Sequence, residues 1–387
     1  MVNDSIVSDS LLRLVAAQAV GADRSRRLDT KLTNALRESS IMGLTATAEL
    51  GGTEATVVQC GEVLEAVTAR CSSTGWVLMN HLGQFHLIAG LLGPEHQPML
   101  RQLVTAGTWL CFPAGGGTAV RGVAEGDAYE IHGNANFGSG ARYADKAGVI
   151  FFAEDVEQLK FTLLDLRQDG VTVNDDWHAM SMRASATDSL EYDGCTVPVL
   201  ECVDFPVDYR TVFRRPEHSM IAQRYREDWM AISNLWLGYM GIGLAQACLD
   251  EVVAGIRERV SIMGTKVADQ PNVHMNLGHA QAKVQAARAV VQVACEETDR
   301  RIELGVSPTE AEYLSQLGAA VCALEQCDTA MRCLVKVVGG NGLRQGLGFE
   351  RRWRDFQALP IHINTHPDRV SRLLGRQALD LTTVDQF

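Results

Sequence analysis

The apolar residues of this chain change their period twice. From residue 8 to residue 107 they recur every three or four positions, as Val57, Val58, Val63, Leu64 and Val67 do. That is the spacing of one buried helix face. Within this part, Leu36 to Leu44 predicts a helix that ends at Gly43, and Glu49-Leu50-Gly51-Gly52 predicts a turn. A further predicted helix carries Ser73 to His81, runs on past His86 and leaves at Gly93-Pro94-Glu95. From 108 to 205 the pattern becomes short alternating runs separated by Gly, Asp and Asn, which predicts a β-domain. Here Ala119 to Val123, a turn at Glu125-Gly126-Asp127, the stretch Ile131 to Asp145 and the apolar run Ala147 to Phe152 read as strand, turn, strand, irregular loop, strand. The runs Thr187 to Tyr192 and Cys195 to Pro198 close the domain, and a connector over roughly 204–226 leads out. Helical spacing then returns over 229–340. Leu314, Leu317, Val321, Leu324, Met331, Val335 and Val338 form one seam, and Ala280, Val284, Ala287, Val291 and Ala294 form another. The first seam stops at Gly339-Gly340-Asn341-Gly342, and a last helix covers roughly Pro367 to Asp380.

This order predicts an α+β chain in three parts. They are an N-terminal helical domain (1–107), a central β-domain of barrel or sandwich type (108–226) and a C-terminal four-helix bundle (227–387). A length of 387 residues suits two or three domains with a substantial core. The net charge of −12 and the lack of a basic stripe argue against nucleic acid. No apolar run reaches the length of a membrane span, and the N-terminus reads as an amphipathic helix rather than a signal peptide. The 10 cysteines form no C-x-x-C pair, so buried thiols in a reducing cytoplasm are expected rather than a zinc site or disulfides. No metal site is expected: His81 and His86 are five apart and share no face with a third ligand.

Candidate chemistry concentrates in Asn136-Phe137-Gly138-Ser139-Gly140. Its glycines let backbone approach a flat ligand, and its serine offers a hydroxyl and an N–H. The same residues also suit an ordinary β-turn. His81 and His86 lie on an apolar helix, where histidine is uncommon unless paired or functional. No G-x-G-x-x-G or P-loop is present, so the chain carries no dinucleotide-binding unit of its own.

Several landmarks in order resemble the acyl-CoA dehydrogenase fold over nearly the whole chain. They are Leu36-Arg37-Glu38 through Gly43-Leu44, Glu49-Leu50-Gly51-Gly52, Ser73-Thr74-Gly75-Trp76-Val77, Gly133 to Gly140, Trp177 through Met182-Arg183, Val197-Pro198, Gly339 to Gly342 and Arg351 to Asp355. The branch it looks closest to is that of the two-component, reduced-flavin-dependent monooxygenases. The dehydrogenases commonly place a glutamate base near the C-terminus. Here Leu359 to His366 holds no carboxylate until Asp368, and His362 stands in that region.

The resemblance implies reduced FMN or FAD delivered by a separate NAD(P)H:flavin reductase, with O2 reacting through a C4a-(hydro)peroxyflavin. The substrate would be a small organic molecule, a biosynthetic intermediate, oxidised at an aromatic carbon or an amine or amino-sugar nitrogen. His362, as base or hydrogen-bonding group, with His81 and Ser139, would be catalytic. Phe112, Gly115, Phe137, Gly138, Ser139, Trp177 and Arg183 would bind the flavin, and Arg259, Gly339 and Gly340 would hold its phosphate-bearing tail. A homotetramer is implied by the long bundle helices. Two rivals remain: an FAD-dependent acyl-CoA dehydrogenase using Glu227 or Asp228 as base, and a non-redox or non-enzymatic use of the fold.

Overall fold

The computed structural model describes residues 6–113, 119–205 and 221–381. Gly115 therefore lies outside the described residues. The N-terminal part holds α1 (Asp9–Ser25), α2 (Thr30–Arg37), α3 (Val57–Arg70), α4 (Ser72–Leu91) and α5 (Gln97–Thr105). Side chains start three of them: Ser8 caps α1, Asp29 caps α2, and Thr56 with Gln59 forms a reciprocal capping box on α3. The helix expected over Leu36 to Gly43 is not continuous. The α2 helix stops at Arg37 and a separate 3-10 turn covers Ser40–Gly43. Ser39 is the cause: its hydroxyl and its N–H both bond Leu36 O, a local alternative to the helical ladder. The α4 helix is buried all round except at Asn80, which explains why its apolar pattern has no polar face.

The central part is an eight-stranded sheet of β1 (Leu110–Cys111), β2 (Val120–Glu125), β3 (Ala128–Gly138), β4 (Lys146–Ala153), β5 (Gln158–Asp165), β6 (Val171–Val173), β7 (Asp188–Pro198) and β8 (Val203–Asp204). The order is β6-β7-β3-β2-β4-β5-β8, with β1 parallel to β4. The continuous apolar run in β4 follows from its burial on both faces. Ala147, Val149 and Phe151 meet Tyr129 and Ile131 in one core, and Ile150 faces a second core with Phe161 and with Phe85 and Ile88 of α4. The two runs expected at 187–198 are one strand. Gly194, at φ 76°, sits as the extra residue where Ile131 pairs with Cys195 but His132 pairs with Asp193. Only a residue at ease with positive φ lets the ladder continue past such a bulge.

The C-terminal part holds α6 (Trp229–Ile256), α7 (Pro271–Leu304), α8 (Glu310–Val338), α9 (Gly348–Phe356) and α10 (Pro367–Ala378). Both expected seams are core, on α8 and α7, apart from a partly buried Val335. The α9 helix carries the Arg351 to Asp355 landmark. Among the described residues α6 alone is long and apolar enough to span a membrane, and it is a buried core helix.

The first and third parts share one core, because α3 packs on α6. Glycines set the closeness. A Cβ on Gly61 would lie 2.3 Å from Tyr239 Cδ2, and one on Gly243 would lie 2.6 Å from Glu65 O. Gly61→Val is therefore expected to cost about 1–3 kcal/mol by overpacking. Urea unfolding checks this; an unchanged midpoint would mean that the two helices are not locked together there.

Candidate functional site

Three segments meet at the end of β3. The strand leaves the ladder at Phe137, which has φ 58° and a ring 61% exposed. Opposite it, the segment between Trp177 and β7 has two more non-glycine residues at positive φ, Met182 (46°) and Ala186 (47°). Such positions cost on the order of 1–3 kcal/mol each and persist only where surroundings over-determine them. Here they do. Gly140 N–H donates to Ser185 O at 2.9 Å and Ala141 N–H to Ala186 O at 3.2 Å. Ala184 N–H donates to Ser73 Oγ at 3.2 Å, and Met182 N–H to Asp355 Oδ1 at 2.8 Å. The other oxygen of Asp355 accepts from Ser72 Oγ. Asp355 is buried; desolvation pushes its carboxyl pKa up, against the opposing pull of Arg354, Ser72 and the Met182 N–H.

Ser139 is 4% exposed and belongs to a buried chain of hydroxyls. Trp76 Nε1–H donates to its Oγ at 2.8 Å, Thr187 Oγ1 lies 3.0 Å away, and Ser185 Oγ lies 2.7 Å beyond that. Trp76 also touches His362, with ring centroids 5.3 Å apart and nearly perpendicular planes. The structure thus brings Ser139 and His362 to one indole ring. In the sequence Trp76 stood out only within the Ser73 to Val77 landmark and not as a site residue, because a tryptophan on an apolar helix reads as core.

The histidines separate cleanly. His362 starts the 3-10 turn Ile363–Thr365, and its Nδ1 accepts from Asn364 N–H at a long 3.4 Å. That bond places the neutral ring's proton on Nε2, for which the described residues offer no partner. Desolvation, with Arg369 nearby, lowers its pKa to about 4. At neutral pH the ring is therefore uncharged, with its Nε2–H as a donor. His81 is a correction. Its Nε2–H donates to Met42 O at 2.9 Å and its Nδ1 accepts from Leu110 N–H at 3.1 Å. With both nitrogens held by backbone it clasps β1 to the turn before α3 and has nothing left for substrate. His86 is likewise tied, to Glu227 O at 2.8 Å.

Among the expected flavin contacts, Gly138 pairs with Asp188, and a Cβ there would lie 2.6 Å from Leu190 Cδ1. Trp177 hangs from Asp188 by its N–H (3.1 Å) and from Met182 O by its indole (3.1 Å), half-buried beside Phe137's lip. Arg183 lies apart from a ligand role: it bonds Met180 O and faces Asp23 at 3.9 Å, a structural contact. Phe112 packs edge-on to Trp229 at 5.9 Å, at the start of α6. Arg259 and Gly339 do meet, since Arg259 donates to Val338 O at 3.0 Å, at the C-terminal end of α8. Gly339 has φ 60°, and a Cβ on it or on Gly340 would meet nothing within 4 Å.

The two rival bases differ. Arg301 holds Glu227 by two bonds, at 2.9 and 3.1 Å, and Gln316 adds a third. Asp228 caps α6 with Oδ1, which accepts from Met230 and Ala231 N–H, while its Oδ2 is buried without a hydrogen-bond partner and desolvation raises its pKa to about 6. Among the described residues no group of three metal-ligating side chains assembles.

Residues 235–367 match the family described as acyl-CoA dehydrogenase, C-terminal domain. A pigment production hydroxylase of a Rhodococcus species is 25% identical over 97% of both chains. The oxygenase subunit HsaA of a flavin-dependent monooxygenase from Rhodococcus jostii is 21% identical over 97% of this chain and 98% of its own. Cyclohex-1-ene-1-carbonyl-CoA dehydrogenase of Geobacter metallireducens is 23% identical over 97% and 96%. Of the solved structures, XiaF from Streptomyces sp. in complex with FADH2 and glycerol superposes with a TM-score of 0.85, at 21% identity over 97% and 95% of the two chains. FMN-bound TdsC, a dibenzothiophene monooxygenase from Paenibacillus sp., gives 0.81 at 20% identity over 97% of both. The chain has the acyl-CoA dehydrogenase-like fold of these structures, and its residues 235–367 match that family's C-terminal domain. The named relatives and structural neighbours include flavin-dependent monooxygenases, and the neighbours' complexes contain FADH2 and FMN.

The lip fits a flat aromatic cofactor. An exposed Phe137 ring, a half-buried Trp177 and three strained residues surround a hydroxyl chain that holds four donor protons but makes three bonds.

His81 and His86, both fully buried with pKa values lowered to about 4 by desolvation, predict the acid response. Between about pH 6.5 and 4 the unfolded chain binds protons that the folded chain refuses. Stability is therefore present above that window and lost as pH falls through it, by up to about 1.4 kcal/mol per pH unit for each histidine. Thermal melting across pH 4–7 checks this; a flat Tm, or a His81→Gln variant with an unchanged slope, would contradict it.

Proposed function

We propose that this protein is the oxygenase component of a two-component flavin-dependent monooxygenase, using reduced FMN or FAD from a separate NAD(P)H:flavin reductase together with O2. The observation that carries this reading is His362: its ring meets Trp76 and its Nε2–H has no partner among the described residues, while the carboxylate of Glu227 is spent on Arg301. A carbon acid cannot be deprotonated without a base in reach. The relatives at similar identity include a dehydrogenase, so identity alone does not choose between the two chemistries.

Phe137 and Trp177 would flank the flavin ring, and Ser139 and Gly138 would meet its polar edge. Arg259, with Gly339 and Gly340, would hold phosphate; a guanidinium and freed backbone N–H groups suit its oxygens. When bound, the reduced flavin supplies the electrons that activate O2. The chain's own part is to exclude water and to orient the substrate. His362 gives a hydrogen bond from Nε2 toward the reacting oxygen or a substrate heteroatom, and stays neutral over the physiological range because its pKa is held near 4. The substrate is a small organic molecule, oxidised at an aromatic carbon or an amine or amino-sugar nitrogen and belonging to a biosynthetic route. Assembly as a homotetramer in the cytoplasm completes the reading.

Rapid mixing of the reduced, flavin-loaded protein with O2 is expected to give a long-lived absorbing species before oxidised flavin appears. Immediate reoxidation, or reduction of bound FAD by an acyl-CoA, would favour the dehydrogenase instead. Once a substrate is found, His362→Ala should lower product formed per flavin oxidised by about tenfold or more, with peroxide released in its place. A variant that retains wild-type coupling would remove His362 from the mechanism.

A further inference from the structure

Arg142 and Asp188 form an ion pair beside the lip. Arg142 follows the glycine-rich loop by two residues, and Asp188 opens β7, where it pairs with Gly138. Their side chains are 12% and 0% exposed. Arg142 donates from Nε to Asp188 Oδ2 at 2.6 Å and from Nη2 to Oδ1 at 3.4 Å. Its Nη1 lies 2.7 Å from Asp175 Oδ1. One guanidinium therefore spans two carboxylates from separate segments, which a planar fork of donors does well and a point charge does poorly.

Both carboxylates lead to Trp177. Asp188 Oδ1 accepts the Trp177 N–H at 3.1 Å, and Asp175 stands two residues before that tryptophan. The indole N–H is held separately, by Met182 O at 3.1 Å. On the other wall, Phe137 adjoins Gly138, whose backbone pairs with Asp188. Asp188 thus meets both walls, Phe137 through the strand ladder and Trp177 through its carboxylate. Among the described residues Arg142 is the cation bonded to that carboxylate. Burial raises the carboxyl pKa of Asp188, and the Arg142 charge opposes the rise. Without the guanidinium the buried charge is left uncompensated, and a carboxyl that took up a proton would hold the Trp177 N–H less strongly.

We propose that Arg142 and Asp188 are positioning residues for the flavin, holding Trp177 in register with Phe137 so that the flat ring meets two fixed walls. This rests on the flavin reading above. The pair acts through Trp177, and that separates it from an ion pair that only stabilises the fold. A purely structural pair would change the melting temperature and leave the flavin affinity of the folded protein as it was.

Anaerobic titration with reduced FMN and reduced FAD tests this on the wild type, Arg142→Met, Trp177→Ala and the double variant, each with its thermal melt. Arg142→Met should weaken reduced-flavin binding about fivefold or more, the size of one lost hydrogen bond. Trp177→Ala should weaken it at least as much. Adding Arg142→Met to Trp177→Ala should then cost no more than about twofold further, because residues that act as one unit are not additive. An Arg142→Met protein that melts lower but binds reduced flavin like the wild type overturns the inference, and so do losses that multiply in the double variant. If Arg142→Met does not fold, Arg142→Lys decides. Its ammonium meets Asp188 without forking across to Asp175, so binding should weaken about twofold or more, and an unchanged affinity overturns the inference. A Trp177→Ala protein with wild-type affinity takes Trp177 out of the flavin site and this inference with it, while flavin binding itself stands. A wild type that binds neither flavin overturns both.

Discussion

The buried carboxylate of Asp355 is the constraint on which the site depends. It sits on α9, in the third part of the chain, yet it bonds Ser72 at the start of α4 and Met182 in the strained segment before β7. Its neighbour Arg354 reaches Asp23 of α1, Glu350 of its own helix and Met180 O. Two adjacent side chains therefore tie the N-terminal helices, the β-domain and the C-terminal helices at one point. A charge held this far from water is weak evidence for stability, since desolvation offsets much of the attraction. Its effect here is geometric. It fixes the backbone turn that sets Thr187 and Ser185 behind Ser139, and it does so at residues whose left-handed conformation would relax if released.

The same network explains why Trp76 matters more than its residue type suggests. Its N–H is committed to the β-domain through Ser139, and its ring meets His362 from the C-terminal part. The cofactor lip and the histidine are thereby registered against each other by a single rigid ring. His81 is consumed as a clasp, with a backbone bond on each nitrogen, whereas His86 and His362 each make one, to Glu227 O and to Asn364 N–H. His81 and His86 are buried and His362 is half-buried, yet all three have pKa values lowered to about 4, so the pKa alone does not tell them apart. Burial and hydrogen-bond partners do.

The elements themselves were legible along the chain. The seams of α7 and α8, the β4 run and the turn at Glu125 to Asp127 all follow from period and from glycine placement, which are local properties. The failures were local competitions that composition conceals. Ser39 diverts Leu36 O and ends α2 early, and Gly194 carries a bulge where two strands had been read. Phe137, Gly138, Ser139 and Trp177 were candidates because a glycine-rich loop after a strand is visible in sequence, and the landmarks around them resemble a known fold; folding brings them to one lip.

The sequence by itself determined the order of helices, sheet and helices, the depth of the core and the absence of a carboxylate between Leu359 and His366. Only the tertiary structure decided that His81 is bonded on both nitrogens, that Glu227 is already paired, and that Ser139, Thr187, Ser185 and Trp76 form one chain. The reason is physical. Periodicity records which side of an element faces the core, but a hydrogen bond depends on the partner that folding brings up to it. Here those partners lie 63 residues from Trp76 to Ser139, 74 from Glu227 to Arg301 and 283 from Ser72 to Asp355 along the chain.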